Sequence, residues 1–252
     1  MLTAWSEQQL DFEGLRLTCR QCSLQELCLP ASLRDHELSL LASILGHSNI
    51  QQGQHIFNAG DRFQSLCVVR SGAVKTWVTG LNGSMQILGF HFPGEMLGFD
   101  GLAERRHHCT AEALSGTEIC RLPYGQLERV ATRIPALQKQ LFRIMSREFV
   151  LDNEHLVMMG SRPAVERVAL FVQTMSQRRG LLGHDRTIID LSMSRVDIGN
   201  YLSLATETVS RLLAELEREG VIDLDRRHLR IRDLDRLIEI SGEDLGLLHY
   251  PD

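Results

Sequence analysis

From Pro135 to Gly160 the chain carries no helix breaker, and its apolar residues fall on a seam. Phe142, Met145, Phe149, Asp152, Leu156 and Met159 are spaced alternately by three and four, which is a heptad repeat. Pro135 stands where a helix favours proline, at its first position. The spacing predicts one long helix that pairs with a second copy of itself in a parallel two-fold dimer. Asp152 occupies a position that such a seam gives to an apolar residue. In a dimer two Asp152 carboxylates approach each other, repel, and drive one to take a proton. On that reading dimerisation is marginal, and a coupling of ~1–3 kcal/mol from a distant event shifts the population. The plainer reading puts Asp152 just off the seam, in water.

A helix of this length restricts what precedes and follows it. Between about 50 and 125 the character is β, in short runs broken by glycine: "HIFNAGD", "LCVVRSGAVKTWVT", "QILGFHFPGEMLGF" and "TEICRLP". Short strands with frequent turn signals predict an antiparallel sandwich or roll. Residues 35 to 46, "DHELSLLASILG", repeat apolar residues at helical spacing and predict a helix. Pro163 opens a further helix. Then come a strand at 187–192, two short helices, a β-hairpin turning near Asp225–His228, and a short amphipathic helix.

Within that last third, "SMSRVDIGNYLSLATETVSRLLAELEREGVI" predicts a helix-turn-helix. Ser194 and Asp197 form a capping-box pattern, with Asp in place of the usual Glu or Gln. A tight turn falls at Ser203–Leu204. The second helix spans about Ala205 to Glu219 and stops at Gly220. Val209, Leu212, Leu213 and Leu216 form its core stripe. Glu207, Ser210 and Arg211 share the opposite face near the N-terminal end, which is the end that reads base edges in such motifs. An arginine fork pairs with guanine, a glutamate accepts from cytosine N4, and a serine serves a base or a phosphate. A solvated face on an ordinary helical hairpin is the bland alternative. Arg226, Arg227, His228, Arg230 and Arg232 crowd the hairpin and suit phosphate contacts or a solubilising edge.

The formal net charge of -5 shows no global basic signature, so a DNA contact has to be local. No run approaches the ~18 apolar residues of a membrane span. Glu7, Asp11 and Glu13 stand where a signal peptide is apolar. These features read as a cytoplasmic chain, where clustered thiols favour metal or redox chemistry over disulfides. Cys19, Cys22 and Cys28 make such a cluster, C-x2-C-x5-C. A tetrahedral site or a cubane wants a fourth thiolate. Cys67, Cys109 and Cys120 are the candidates, and spacing does not choose among them. The sequence shows no nucleophile–base arrangement, phosphate loop or metal-water motif, so an enzyme is not expected.

Taken together, "CRQCSLQELCLP", "RSGAVKT", "ILGFHFPGEMLGFD", "EICRLP", "LFRIMSRE" and "DIGNYLSLATETVSRLL" resemble segments of the FNR-type regulators of fumarate and nitrate reduction. These are a branch of the cAMP receptor protein superfamily. The cysteine cluster and the last motif are the specific ones. The resemblance implies an α+β fold: a cysteine-rich cluster-binding segment at 1–30, an antiparallel β-roll resembling cyclic-nucleotide-binding domains at 31–134, a dimerisation helix at 135–160, and a winged helix-turn-helix at 161–252. It implies an oxygen-labile [4Fe–4S] cluster on Cys19, Cys22, Cys28 and Cys120, with Cys67 and Cys109 structural. It further implies a homodimer on a two-fold DNA site with TTGAT-like half-sites, recruitment of RNA polymerase, and loss of the dimer on oxidation. Glu207, Ser210 and Arg211 match the family's base-reading positions, and Asp152 its repulsive interface position. Ser84 and Met85 depart from the acidic residues that similar proteins carry before the glutamine. "RRHHCTAEAL" stands where cyclic-nucleotide binders have their phosphate-binding Arg–Ser pair. Two other readings remain at this stage: the same architecture with a zinc or dithiol redox switch, and a small-molecule effector module.

Overall fold

The computed structural model describes Cys22, Leu24 and residues 27–80 and 83–242. The roll contains eight strands: β1 (Gly46–Ile50), β2 (His55–Phe57), β3 (Ser65–Ser71), β4 (Val74–Thr79), β5 (Met85–His91), β6 (Met96–Leu97), β7 (Thr110–Ala113) and β8 (Thr117–Pro123). They form two antiparallel sheets, ordered β1-β8-β3-β6 and β2-β7-β4-β5. Phe57, Val69, Val74, Leu97, Ala111 and Ile119 are buried together in one of the roll's core clusters. β3 and β4 are separated by a turn at Gly72, whose φ is +83. A Cβ there would lie 2.5 Å from the carbonyl oxygen of Gly116, so the close approach of backbone requires glycine.

One expected helix is shorter than its pattern. α1 (Asp35–Ala42) ends before Ile44, and Gly46–Ile50 is drawn out instead as β1. The cause is long-range: all five residues pair with β8, from Gly46 opposite Arg121 to Ile50 opposite Thr117. Sheet pairing overrides the local helical period there.

α2 (Tyr124–Ala131) leads into α3 (Pro135–Ser161), which is the long helix with proline in its first turn. Leu137 and Ile144 of α3 are buried with Leu29, Leu41, Phe63, Leu66 and Leu122, so the start of the helix is cemented to the roll. Farther along, its outward face is apolar and open. Phe142 is 70% exposed, Phe149 68% and Leu156 67%, with Met145, Val150 and Val157 also exposed. Asp152 is exposed beside them. Met159 departs from this face: it is half-buried against the core of the C-terminal part.

That part comprises α4 (Ala164–Leu181), β9 (Ile188–Asp190), α5 (Arg195–Leu202), α6 (Thr206–Arg218), β10 (Ile222–Asp225), β11 (His228–Ile231) and α7 (Leu234–Ser241). Its three strands form one antiparallel sheet in the order β10-β11-β9. Its core joins Val168, Phe171, Ile189, Ile198, Leu202, Val209 and Leu213 with Ile87 and Phe90 of the roll. Helices, the two sheets of the roll and a winged C-terminal part make this the α+β architecture that the resemblance implies.

Candidate DNA-reading helix and cysteine recess

α5 begins with a complete capping box. The Ser194 hydroxyl accepts from the Asp197 amide at 3.0 Å, and the Asp197 carboxylate accepts from the Ser194 amide at 3.0 Å. The helix ends at Ser203, in the left-handed region with φ 49. A Cβ on Gly199 would lie 2.7 Å from the carbonyl oxygen of Leu204, so the turn into α6 fits closely over this glycine. Val209, Leu212, Leu213 and Leu216 of α6 are buried, and Glu207, Ser210 and Arg211 are exposed on its other face. Arg211 lies 3.9 Å from Glu215, an exposed pair easily exchanged for another partner. The Ser210 hydroxyl donates to the Thr206 carbonyl at 2.9 Å, which leaves its oxygen free to accept. Arg226 takes φ 54 in the tight turn between β10 and β11.

At the other end, Cys22, Cys28 and Cys120 line one recess, about 440 Å³ up to its open mouth. Its walls are Leu24, Leu29, Pro30, Leu41, Leu45, Val68 and Leu122, with Arg70 as the charged member. Cys19 lies outside the described residues. Among the described residues no three His, Cys, Asp or Glu side chains are gathered to hold a metal ion. The donor set nevertheless suits a thiolate-held metal centre: three cysteines line one largely apolar hollow. The Cys120 sulfur is 3.6 Å from His47 Nδ1. Burial, helped by Arg70 and opposed by Glu118, holds His47 below the usual imidazole range. Arg70 itself pairs with Glu118 at 2.6 Å.

Cys67 and Cys109 sit elsewhere, in the buried core of the roll. Burial pushes the Cys67 thiol up to about 11. Burial and the adjacent Asp100 carboxylate push the Cys109 thiol up as well. Both resist forming the thiolate that ligates metal. Asp100 accepts from the amides of His108 and Cys109, at 2.7 and 3.1 Å, and from the Cys109 thiol at 3.3 Å.

The structure also shows contacts that the sequence reading missed. Gln140, buried on α3, donates to the Cys28 carbonyl at 3.3 Å and so ties the cysteine segment to the long helix. Glu148 of α3 lies close to Glu95, Arg147 and Arg178. Burial, then Glu95, raise its carboxyl to about 7 against the opposing Arg147 and Arg178, with Asp152 adding a smaller push. No short-range pattern announces either contact.

Comparison with known proteins converges on the same architecture. A family model described as a cyclic nucleotide-binding domain matches residues 47–133, and one described as a Crp-like helix-turn-helix domain matches residues 166–240. The anaerobic regulatory protein of Haemophilus influenzae is 36% identical over 95% of this chain and 93% of its own length. The fumarate and nitrate reduction regulatory protein of Escherichia coli K12 is 35% identical over 91% of this chain and 92% of its own. The structure of FixK2 from Bradyrhizobium japonicum superposes with a TM-score of 0.74 at 27% identity, covering 80% of this chain and 99% of that one. Among the described residues no helix is long and apolar enough to cross a membrane. With a roll, a helix-turn-helix and relatives of this kind along nearly its whole length, the chain belongs to the FNR-type branch of the CRP/FNR family, DNA-binding transcriptional regulators rather than enzymes.

Proposed function

We propose that this chain regulates transcription in response to oxygen. Cys19, Cys22, Cys28 and Cys120 hold a [4Fe–4S] cluster, and the protein so loaded dimerises through α3 and binds DNA without air. The observation that carries this reading is the shared recess of Cys22, Cys28 and Cys120, tied to α3 by the Gln140–Cys28 hydrogen bond. The names of the relatives, anaerobic regulatory protein and fumarate and nitrate reduction regulatory protein, support it. When bound, such a cluster supplies thiolate-held iron that oxygen attacks.

The chain's own residues do the rest. The cysteines would ligate as thiolates, in a recess walled mainly by leucines. The neutral His47 imidazole has one N–H to offer the Cys120 sulfur. Anchoring Cys28 secures the 3-10 turn Leu29–Ser32 against the start of α3. Phe142, Met145, Phe149 and Leu156 then pair with the same residues of a second copy, against the repulsion of the two Asp152 carboxylates. Asp152 is exposed in one protomer, yet partial desolvation by its neighbours already raises its carboxyl. In the dimer two α6 helices enter successive major-groove turns about 34 Å apart. There Arg211, Glu207 and Ser210 read base edges. The TTGAT-like half-sites and the contact with RNA polymerase rest on the resemblance.

Asp100 weighs against the small-molecule alternative. Its carboxylate is already an internal anion for the amides of the segment where cyclic-nucleotide binders carry their phosphate-binding pair. Burial pushes this carboxyl up, but the hydrogen bonds from Cys109, His108 and His107 outweigh it and hold it low.

Iron and acid-labile sulfide analysis, run with sedimentation before and after air, tests the proposal. The expected result is iron with sulfide and a dimer before air, and a monomer after it. A zinc-loaded colourless protein supports the zinc reading instead. Iron-free protein that still dimerises and selects its DNA site overturns the proposal. In iron-free protein, Asp152→Ala is expected to raise the dimer fraction; an unchanged sedimentation profile removes Asp152 from the seam.

A further inference from the structure

β5 is the outer strand of its sheet, so every second backbone group on one side of it lacks a strand partner. Asn200 of α5 fills that place. Its Oδ1 accepts from the Ile87 amide at 2.6 Å, and its Nδ2 donates to the Met85 carbonyl at 2.6 Å. One side-chain amide thus reproduces the donor–acceptor pair of a neighbouring strand. Gln86 returns the contact by donating to the Asn200 carbonyl at 3.1 Å.

A second contact lies near the start of the same helix. Lys75 of β4 is only 10% exposed and reaches Asp197 at 3.0 Å and Glu112 of β7 at 3.5 Å. A buried ammonium is costly without partners, so the two carboxylates hold it in place. Asp197 is also the residue that completes the capping box of α5. Beneath this polar seam Phe90 of β5 packs on Tyr201 and Phe171, with ring centroids 5.1 and 6.2 Å apart.

We infer that Asn200 and Lys75 are positioning residues for DNA reading, which fasten α5 to the roll so that α6 is presented at a fixed angle to the dimerisation helix. The inference rests on the reading of α6 as the base-contacting helix. By covalent connection alone, the C-terminal part meets α3 only at Arg162–Pro163, where the backbone is extended. Two α6 helices have to match two groove turns at once, so a loose joint costs affinity even when every base-contacting side chain is intact. His155 of α3 stacks on Tyr201 with ring centroids 4.2 Å apart and Met158 enters the C-terminal core; the roll edge adds polar fastening to these contacts, through Lys75 from the same sheet that carries β7.

The experiment uses anaerobically prepared full-length protein and a duplex with two TTGAT half-sites, read by fluorescence anisotropy. Hydrogen exchange of β5, iron content and sedimentation are measured in parallel. Asn200→Ala and Lys75→Met are each expected to weaken binding to the duplex about 5-fold to 150-fold, the range of ordinary intersite coupling. Exchange at the Ile87 amide should rise, with iron content and dimer fraction unchanged. Lys75→Arg should restore most of the affinity. Faster exchange with unchanged affinity overturns the proposal, as does tighter binding, which would make the seam inhibitory. Wild-type protein that protects β5 but does not prefer the duplex overturns the DNA reading itself, and the positioning role with it.

Discussion

The cysteine recess draws Cys22 and Cys28 from one end of the roll's sequence and Cys120 from the other, in β8, whereas Glu207, Ser210 and Arg211 come from adjoining turns of one helix. The helix-turn-helix is finished by its own neighbours: a capping box, a left-handed Ser203 and a glycine under the turn. The recess has walls but, among the described residues, no assembled ligand set. The difference is one of reach along the chain: the reading surface is built by neighbours in sequence, the recess by residues from opposite ends of the roll.

The comparison breaks first at Cys120. Cys120→Ser is expected to abolish iron binding and bring anaerobic DNA affinity down to that of air-exposed protein, while the melting of the C-terminal part stays unchanged. Retained iron would show that β8 supplies no ligand. Gly199→Ala is the converse. Its Cβ meets the Leu204 carbonyl, so the turn shifts at a cost of roughly 1–3 kcal/mol, and DNA binding fails with iron content preserved. Calorimetry and iron analysis together check it. Arg211→Ala is narrower still: preference for the cognate duplex over random DNA should fall by ~1–3 kcal/mol. Equal loss on both DNAs would make Arg211 a phosphate contact.

The last effect falls on folding stability and not on DNA reading, and concerns Glu148 of α3. Its folded carboxyl titrates near 7 rather than at the ordinary 4.5, so between those values the folded state binds more protons than the unfolded one. The contribution of Glu148 to stability therefore falls as pH rises from about 4.5 to about 7 and is level above that. Glu148→Gln should flatten this slope in denaturant titrations at a series of pH values.

What could be read directly from the chain follows the same division. The capping box, the turn and the two faces of α6 are all encoded within a few residues, and each shows in the sequence. The glycine-broken strands also show, because alternation and turns are local. β1 did not, since Ile44 and Leu45 continue a helical period that pairing with β8 overrides. The three candidate thiols Cys67, Cys109 and Cys120 are equal in spacing. The resemblance singles out Cys120, and the physical ground for the choice is burial, a property of the packed roll. Lys75 reaching Asp197 and Asn200 capping β5 join positions distant in the chain, so no periodicity forecasts them.

Ile87 and Phe90 belong to the strand framework of the roll yet sit in the apolar interior of the C-terminal part. The two halves are therefore not interchangeable modules. A C-terminal fragment cut at Arg162 would lack these two side chains and also Met158, all of which help close its interior. Grafting this reading head onto a foreign sensor would require transplanting the face of β5 along with it.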